Sequence, residues 1–367
     1  MNRNHLRPDP DLRTLLELPA PILSVYLGHQ PSAQDDLPAR RHAAAALLAA
    51  LGATDEQAKI VEDAFTDAAP GRPASALFVG RDGAHHDVWL PGSPVPDLVL
   101  RADVPHLTPL LAWRQARPAY VVAMLDRAGA ELAIQPGHGD KPVSRSIAAS
   151  GDEIERDAPD GWSQHRYQEC AEDSWQHNAR RAAEEAVTEL DRLDARILLL
   201  SGDVRAVQCF TEALPARIRS GVTVARISGS RHADGVWPQR ARLIAEKVAR
   251  AVDGRTGDLL AELGDLAGPR GRGLDRPSGV VKALSQGRVR TLLVTDAPDR
   301  ARVAWFGQAP TGIAVHRTEL SVRDRLPRCG PLTDVAVRAA ILADAEVRIV
   351  PSRTPGASIS GIAAICR

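Results

Sequence analysis

The chain has 367 residues, more than one ordinary hydrophobic core organises, and this length predicts two or three domains. Hydrophobic residues make up 44% and charged residues 25%, which is typical of a soluble globular protein. Because 46 acidic residues balance 46 basic ones, the net charge argues against a general binder of polyanions, and we expect no DNA partner. A local basic patch stays compatible with this balance.

The four cysteines, at positions 170, 209, 329 and 366, form no CxxC pair. Neither a zinc knuckle nor a redox dithiol is therefore indicated, and we predict no metal and no cofactor. Scattered cysteines fit a reducing compartment, so the expected location is the cytoplasm. The first ten residues lack the apolar core of a signal peptide, and no run of about 18 apolar residues predicts a membrane span.

The first segment begins with a β-prone run at residues 21–27. Two helices are predicted at 39–51 and 55–68, the second with Thr54 as its N-cap. The runs 76–80 and 86–90 flank an Asp-Gly turn and predict a hairpin. On that strand His85 and His86 point to opposite faces, so a hairpin edge explains them better than a metal site. Residues 91–109 are dotted with proline and lead to a boundary near Arg117.

The second segment opens with predicted strands at 120–125 and 130–134. The polar stretch 135–160 that follows is long for a structureless loop, which indicates a functional or mobile segment. A long helix is predicted at 163–193, with apolar residues close to one stripe of period 3.6. A strand at 196–201, a helix at 204–214, a strand at 222–227 and a helix at 238–252 complete an α/β pattern.

The third segment again alternates helices and strands. The predicted helices are 255–267, 278–286 and 334–344, and the predicted strands are 289–295, 302–306, 346–350 and 359–365. The fold class is therefore α/β, with α+β mixed character: mixed sheets flanked by helices in three consecutive domains. Their predicted bounds are 1–117, 118–252 and 253–367.

Three short stretches, in order along the chain, resemble one protein family. Residues 23–27 (LSVYL) are similar to the start of the N-terminal domain of archaeo-eukaryotic release factors and Pelota proteins. Residues 279–293 (GVVKALSQGRVRTLL) resemble the helix–strand signature of that family's C-terminal domain, and residues 361–367 (GIAAICR) resemble its end. The three stretches lie in the order of the family's domains and near both ends of the chain, so the resemblance spans the chain.

The start of the long helix carries a fourth resemblance, at residues 160–167 (DGWSQHRY). Release factors of this family have a Gly-Gly-Gln loop here, followed by Ser and an Arg-aromatic pair. This sequence keeps a glycine and the serine but has no glutamine in register, since Gln164 lies two residues further on. The residues that the resemblance places towards ribosomal RNA are Gly161, Trp162, Ser163, Gln164, His165 and Arg166.

The pattern looks most like the bacterial branch of the family, which includes Balon-like ribosome hibernation factors. That resemblance implies a ribosome-associated factor that occupies the A site in hibernation or stress, with elongation factor Tu as a candidate partner. A catalytic role for Gln164 in peptidyl-tRNA hydrolysis is the alternative function. A third alternative is a stress-linked protein that binds another protein and not the ribosome.

Several side chains have two interpretations. Trp162 either stacks on a nucleobase or packs as a hydrophobic staple onto the helix. Gln164 either positions water or is an ordinary residue of the first helical turn. Arg40, Arg41, Arg270 and Arg272 either contact RNA or belong to a solvated helix and a basic linker. No Asn-Ile-Lys-Ser loop is present between residues 39 and 65, which argues against stop-codon reading.

Overall fold

The computed structural model describes residues 12–28, 37–66, 74–93, 97–126, 129–138, 140–148, 163–228, 237–268, 271–296, 301–320, 327–354 and 359–367. At residues 37–41, 65–66, 148, 163–175 and 237–238 it describes the backbone alone. The chain folds as two compact units. The terminal unit comprises residues 1–115 and 256–367, and the middle unit comprises residues 116–255. None of the described helices combines the length and the apolar composition needed to cross a membrane.

The N-terminal part of the terminal unit is an antiparallel sheet with helices. Its elements are α1 (Leu12–Leu16), β1 (Ile22–Leu27), α2 (Leu37–Ala50), α3 (Asp55–Thr66), β2 (Ala74–Val79), β3 (His85–Leu90), β4 (Leu98–Ala102) and α4 (Thr108–Gln115). The strand order is β3-β2-β1-β4. Every residue of β1 and β2 is buried, because α2 and α3 cover one face of the sheet and a larger core covers the other.

The predicted first strand, the two helices and the hairpin are confirmed. Thr54 caps α3 as predicted, since its Oγ1 accepts from Gln57 N at 3.2 Å while Gln57 Oε1 accepts from Thr54 N at 3.2 Å. Residues 91–109, for which the sequence predicted no element, contain β4 and the first two residues of α4. β4 pairs with β1, and Pro109 sits in the first turn of α4, where no intrahelical donor is needed.

The middle unit is a three-layer α/β structure. Its elements are β5 (Tyr120–Asp126), β6 (Gly129–Gln135), β7 (Val143–Ala148), α5 (Ser163–Arg192), β8 (Ile197–Gly202), α6 (Val204–Ala213), α7 (Ala216–Gly221), β9 (Thr223–Arg226) and α8 (Trp237–Asp265). The strand order is β7-β6-β5-β8-β9, in which β5, β8 and β9 are parallel and β6 and β7 are antiparallel. Helices α5, α6 and α7 pack on one face, and α8 packs on the other.

Two predictions about this segment need correction. The polar stretch 135–160 contains the strand β7, which was read as irregular because its side chains at 143–146 are exposed and mostly polar. The predicted helices 238–252 and 255–267 are one continuous helix, α8. The Asp253–Gly254 pair does not break it, since Val248 on one side and Leu259 and Leu263 on the other are buried in hydrophobic cores.

The C-terminal part of the terminal unit has two sheets. Its elements after α8 are β10 (Gly273–Leu274), α9 (Pro277–Ser285), β11 (Val289–Thr295), β12 (Val303–Phe306), β13 (Ile313–Ala314), a 3-10 turn (Arg317–Glu319), β14 (Arg328–Pro331), α10 (Leu332–Leu342), β15 (Glu346–Val350) and β16 (Ile362–Cys366). The larger sheet has the order β10-β16-β11-β15, and the smaller one has the antiparallel order β13-β12-β14.

Both parts of the terminal unit share one core. Tyr26, Phe78 and Leu110 from the first part and Val280, Leu292 and Val335 from the second belong to the same buried cluster. A buried polar contact reinforces it: His106 Nδ1 lies 2.8 Å from Asp334 Oδ1, and both side chains are 4% exposed. The mixed α/β fold class is confirmed, while the division into three separate domains stays a prediction.

Candidate functional site

The carboxyl edge of the middle sheet brings two strand ends into close contact. At Gly202, the last residue of β8, φ is +124°, and an added Cβ would collide with the Leu125 carbonyl oxygen at the end of β5. The next residue, Asp203, donates its N–H to the same oxygen at 3.0 Å and caps α6 through its carboxylate. In open α/β sheets this edge is where ligand-binding elements are placed.

Helix α5 extends well past this edge. Its first buried side chain among those described is Asn178, which lines a small cavity beside Leu125, Asp126 and Gly129 at the sheet edge. From there to Arg192 the helix packs on the sheet. Ser163 precedes Asn178 by fifteen residues in the same helix, so the helix start lies about 22 Å further along the axis. We name residues 163–177 the arm.

The packed part of α5, residues 178–192, which we name the base of the arm, is held by ion pairs. Glu189 on α5 is 1% exposed, and its two oxygens lie 2.9 Å from Arg145 Nη1 and 2.8 Å from Arg192 Nε. Arg145 belongs to β7, so this carboxylate ties the helix to the edge strand. Because both partners are charged and the acceptor is buried, these are among the stronger hydrogen bonds of the unit.

A second ion pair fixes the last turn of α5. Arg217 donates to both Asp191 oxygens, at 2.8 and 2.6 Å, and these hydrogen bonds lower the pKa of the Asp191 carboxyl and raise that of the guanidinium. This contact joins α5 to α7. The arm therefore projects from a base that is anchored to two neighbouring elements.

Asn178 is a polar exception in an apolar surrounding. Its side chain is 8% exposed, and neither amide atom has a hydrogen-bond partner in the part of the chain that the structure describes. The cavity it faces measures about 10 Å³, roughly one water molecule. Ala179, Ala182 and Ala206 form its walls.

The predicted RNA-facing residues are only partly within the described structure. Gly161 and Trp162 lie outside the described residues. Ser163, Gln164, His165 and Arg166 form the first turn of α5, as predicted, although their side chains are not described. Their position at the far end of the arm is set by the helix backbone. The structure thus supports a projecting helix start and leaves the side-chain roles as predictions.

The four candidate arginines lie apart from the arm in sequence. Arg40 and Arg41 are in α2 with the backbone alone described, and Arg270 lies outside the described residues. Arg272 is exposed, and its carbonyl oxygen accepts from Cys366 N at 2.8 Å. Their RNA contacts stay predictions. His85 and His86 lie on the hairpin strand β3, and the described residues contain no group of three or more His, Cys, Asp or Glu suited to a metal.

Sequence reasoning missed an arginine–tryptophan pair in the small sheet of the terminal unit. The Arg317 guanidinium lies 5.6 Å from the centroid of the Trp305 ring. The two residues are twelve positions apart and meet only because the chain turns between β12 and the 3-10 turn. No local sequence pattern predicts a cation–π contact of this kind.

Comparison with known proteins gives a family match for the middle part of the chain. Residues 119–268, which include the sheet edge, α5 and the predicted loop, match the model of bacterial archaeo-eukaryotic release factor family 2. Over this part, which is less than half of its length, the chain is similar to that family. The match covers nearly all of the middle unit and the start of the following segment, and the role of residues 160–167 stays a prediction.

One curated relative matches along nearly the whole chain. The uncharacterized protein Rv2629 of Mycobacterium tuberculosis H37Rv is 25% identical over 362 residues, covering 94% of this chain and 95% of that protein. An archaeal translation termination factor, aRF1, is 14% identical, with 97% of this chain and 96% of that chain covered and a TM-score of 0.24. Dom34 of S. cerevisiae is 11% identical, with 80% and 79% covered and a TM-score of 0.38. Scores this low carry no argument about function.

Proposed function

We propose that this protein is a ribosome-associated translation factor that occupies the A site during hibernation or stress, as a Balon-like member of the family. The observation that carries the proposal is the arm: the family match includes a helix that holds residues 163–166 about 22 Å beyond the sheet edge. A helix start presented in this way suits insertion into a narrow RNA-lined space.

The residues of the loop fit occupancy better than hydrolysis. Asp160, Gly161 and Trp162 stand where a release factor has Gly-Gly-Gln, so no glutamine is in register to position water on the ester. Trp162 offers a stacking surface for a base, and His165 and Arg166 offer contacts to phosphate. We infer that the arm blocks the A site without releasing the nascent peptide.

The proposal assigns a role to the rest of the chain as well. Residues 1–117 would lie towards the decoding centre, where Arg40 and Arg41 face RNA. Residues 253–367 would dock a translation GTPase, for which elongation factor Tu is the candidate. Arg270 and Arg272 lie at the start of that segment and would contact RNA.

Ribosome co-sedimentation from starved cells tests the proposal. We expect the wild-type chain to pellet with ribosomes, and the paired change Trp162→Ala and Arg166→Ala to release most of it into the supernatant. Arg81→Ala is the matched control, since Arg81 is exposed in the β2–β3 turn and belongs to no proposed contact. A wild-type chain that never pellets with ribosomes would contradict the proposal.

Release or rescue through Gln164 is the second candidate. What favours it is the position of Gln164 in the first turn of the arm, two residues beyond the expected register. A peptidyl-tRNA release assay decides between the two functions. Rates above background that fall on Gln164→Ala would establish hydrolysis. Equal background rates for both chains would exclude hydrolysis through Gln164.

A further inference from the structure

The small sheet β13-β12-β14 has one face on the core and one face outward. Ala304 and Phe306 on β12 are buried in the shared core of the terminal unit. Side chains alternate along a strand, so Val303 and Trp305 occupy the opposite face. Val303 is 53% exposed, and Cys329, which pairs with Trp305 across β14, is also exposed. This outward face is therefore in contact with solvent.

An arginine covers the aromatic residue at the centre of that face. Arg317, in the 3-10 turn after β13, is exposed and places its guanidinium 5.6 Å from the Trp305 ring centroid. The guanidinium is planar and permanently charged, and a planar cation over an indole is a platform on which a further flat ring can stack. The position of Arg317 is partly fixed before any ligand binds, because a hydrogen bond holds the 3-10 turn: the Glu319 carboxylate accepts from His316 N at 3.4 Å.

A groove adjoins the platform. It measures about 740 Å³ and runs between α9 and β13, and its floor includes Val281, Ile313 and Ala314. Ala314 is the cross-strand partner of Trp305, and His316 lines the groove next to Arg317, so the two features are continuous. A groove of this size accommodates a nucleotide-sized ligand.

The polar lining of the groove favours an anionic ligand. Lys282 and His316 are exposed along it, and Ser278 and Ser285 contribute hydroxyl groups. Arg317 directly follows the lining residue His316 in the chain. Glu319 is the carboxylate among the described lining residues, and it is engaged with the His316 backbone. On a chain with no net charge, this is a local excess of basic groups beside an aromatic ring.

We propose that the groove and the Arg317–Trp305 platform bind single-stranded RNA, with a base stacked on the platform and phosphates at Lys282 and His316. This site is separate from the arm and goes beyond the proposed function, which concerns A-site occupancy. Single-stranded RNA fits because its unpaired bases are free to stack, whereas a duplex presents none. The combination of an arginine-covered aromatic ring, hydroxyl groups and scattered cations is the pattern by which proteins hold such strands.

Binding of a fluorescein-labelled single-stranded RNA of about twelve nucleotides to the full-length chain tests the proposal by fluorescence anisotropy. Because stacking of one base contributes at least a fivefold change in affinity, we expect Arg317→Ala to weaken binding by about fivefold or more. Arg317→Lys keeps the positive charge but lacks the planar guanidinium group, so its affinity should lie between those of Arg317→Ala and the wild type. An RNA duplex of equal length should bind at least about fivefold more weakly than the single strand.

The salt dependence separates a phosphate contact from a structural effect. Between about 50 and 200 mM salt, each phosphate contact to a single strand contributes about 0.7 to the slope of log K against log salt. Lys282→Ala should therefore flatten the slope by about that amount. The matched controls are Arg81→Ala and Lys59→Ala, exposed residues of the same unit outside the groove, which should leave affinity and slope unchanged. Wild-type affinity for Arg317→Ala and Lys282→Ala, or no RNA binding at all, would overturn the inference.

Cys329 provides a direct test of what approaches the platform. In a chain with Cys170→Ser and Cys209→Ser, a benzophenone on the exposed Cys329 thiol lies across the strand pair from Trp305. Irradiation with the labelled twelve-nucleotide RNA should give an RNA adduct. The absence of an adduct would refute the RNA site. The oligonucleotide assay contains no ribosome, so failed co-sedimentation would remove the proposed function and leave this inference standing, and the reverse also holds.

Discussion

Glu189→Gln should loosen the base of the arm. The substitution keeps the shape of the side chain but replaces one carboxylate oxygen with an amide NH2 group, so one hydrogen bond to an arginine is lost and the acceptor of the other loses its charge. Charge-assisted hydrogen bonds contribute about 1.5–3 kcal/mol and neutral ones about 0.5–1.5 kcal/mol. Arg145 and Arg192 are 50% and 55% exposed and regain water, which reduces the net loss to about 1–2 kcal/mol.

Native-state hydrogen exchange of the full chain measures this loss locally. The exchange of amides in β7 and in the second half of α5 should accelerate about five- to thirtyfold, the equivalent of 1–2 kcal/mol. Glu185→Gln is the matched control, because this carboxylate is on the same helix, 3.4 Å from the same arginine, and 49% exposed. It should change protection by less than about 0.5 kcal/mol. Equal effects of the two substitutions would refute the argument that burial of Glu189 anchors the arm.

Three further predictions concern the two units. Asp334→Ala should lower the free energy of unfolding by about 2–4 kcal/mol in urea titrations, because it removes the buried carboxylate that lies 2.8 Å from the His106 imidazole. Asp344→Asn, which breaks an exposed ion pair and keeps a residue type tolerated at a φ of +54°, should cost under about 0.5 kcal/mol. Gly254→Ala should stabilise the chain by about 0.5–1 kcal/mol, since its Cβ enters open space in the middle of α8; no gain would contradict a continuous helix. In an NMR titration, the pKa of the Asp191 carboxyl should lie below its ordinary value and should return to it in the Arg217→Ala variant. Because folding lowers this pKa, the stability that the pair contributes is present above about pH 4 and is lost as the pH falls further. An unshifted Asp191 in the wild type would rule out that pair in solution.

Local sequence signals predicted most of the elements that position the site. The periodic stripe over residues 163–193 gave α5 within one residue, because Ala179, Ala183 and Leu190 all face the core. Buried strands such as β8 and β11 were predicted from short apolar runs. These signals work because burial imposes the pattern on the sequence itself.

The failures have a common physical cause, which is tertiary packing. β7 is an edge strand whose exposed side chains need not be apolar. Polar residues such as Ser144 and Arg145 therefore remove the apolar pattern by which a strand is predicted. α8 continues through a helix-weakening Gly254 because both of its halves are buried against sheets. The contact between Arg317 and Trp305 and the one between His106 and Asp334 depend on chain topology, which no window of sequence contains.

A cryo-electron microscopy map of ribosomes with the protein bound tests the central claim most directly. We expect density for the chain in the A site, with α5 directed towards the peptidyl-transferase centre and residues 161–166 at its tip against ribosomal RNA. A chain bound elsewhere on the ribosome, or an arm that points away from ribosomal RNA, would contradict it.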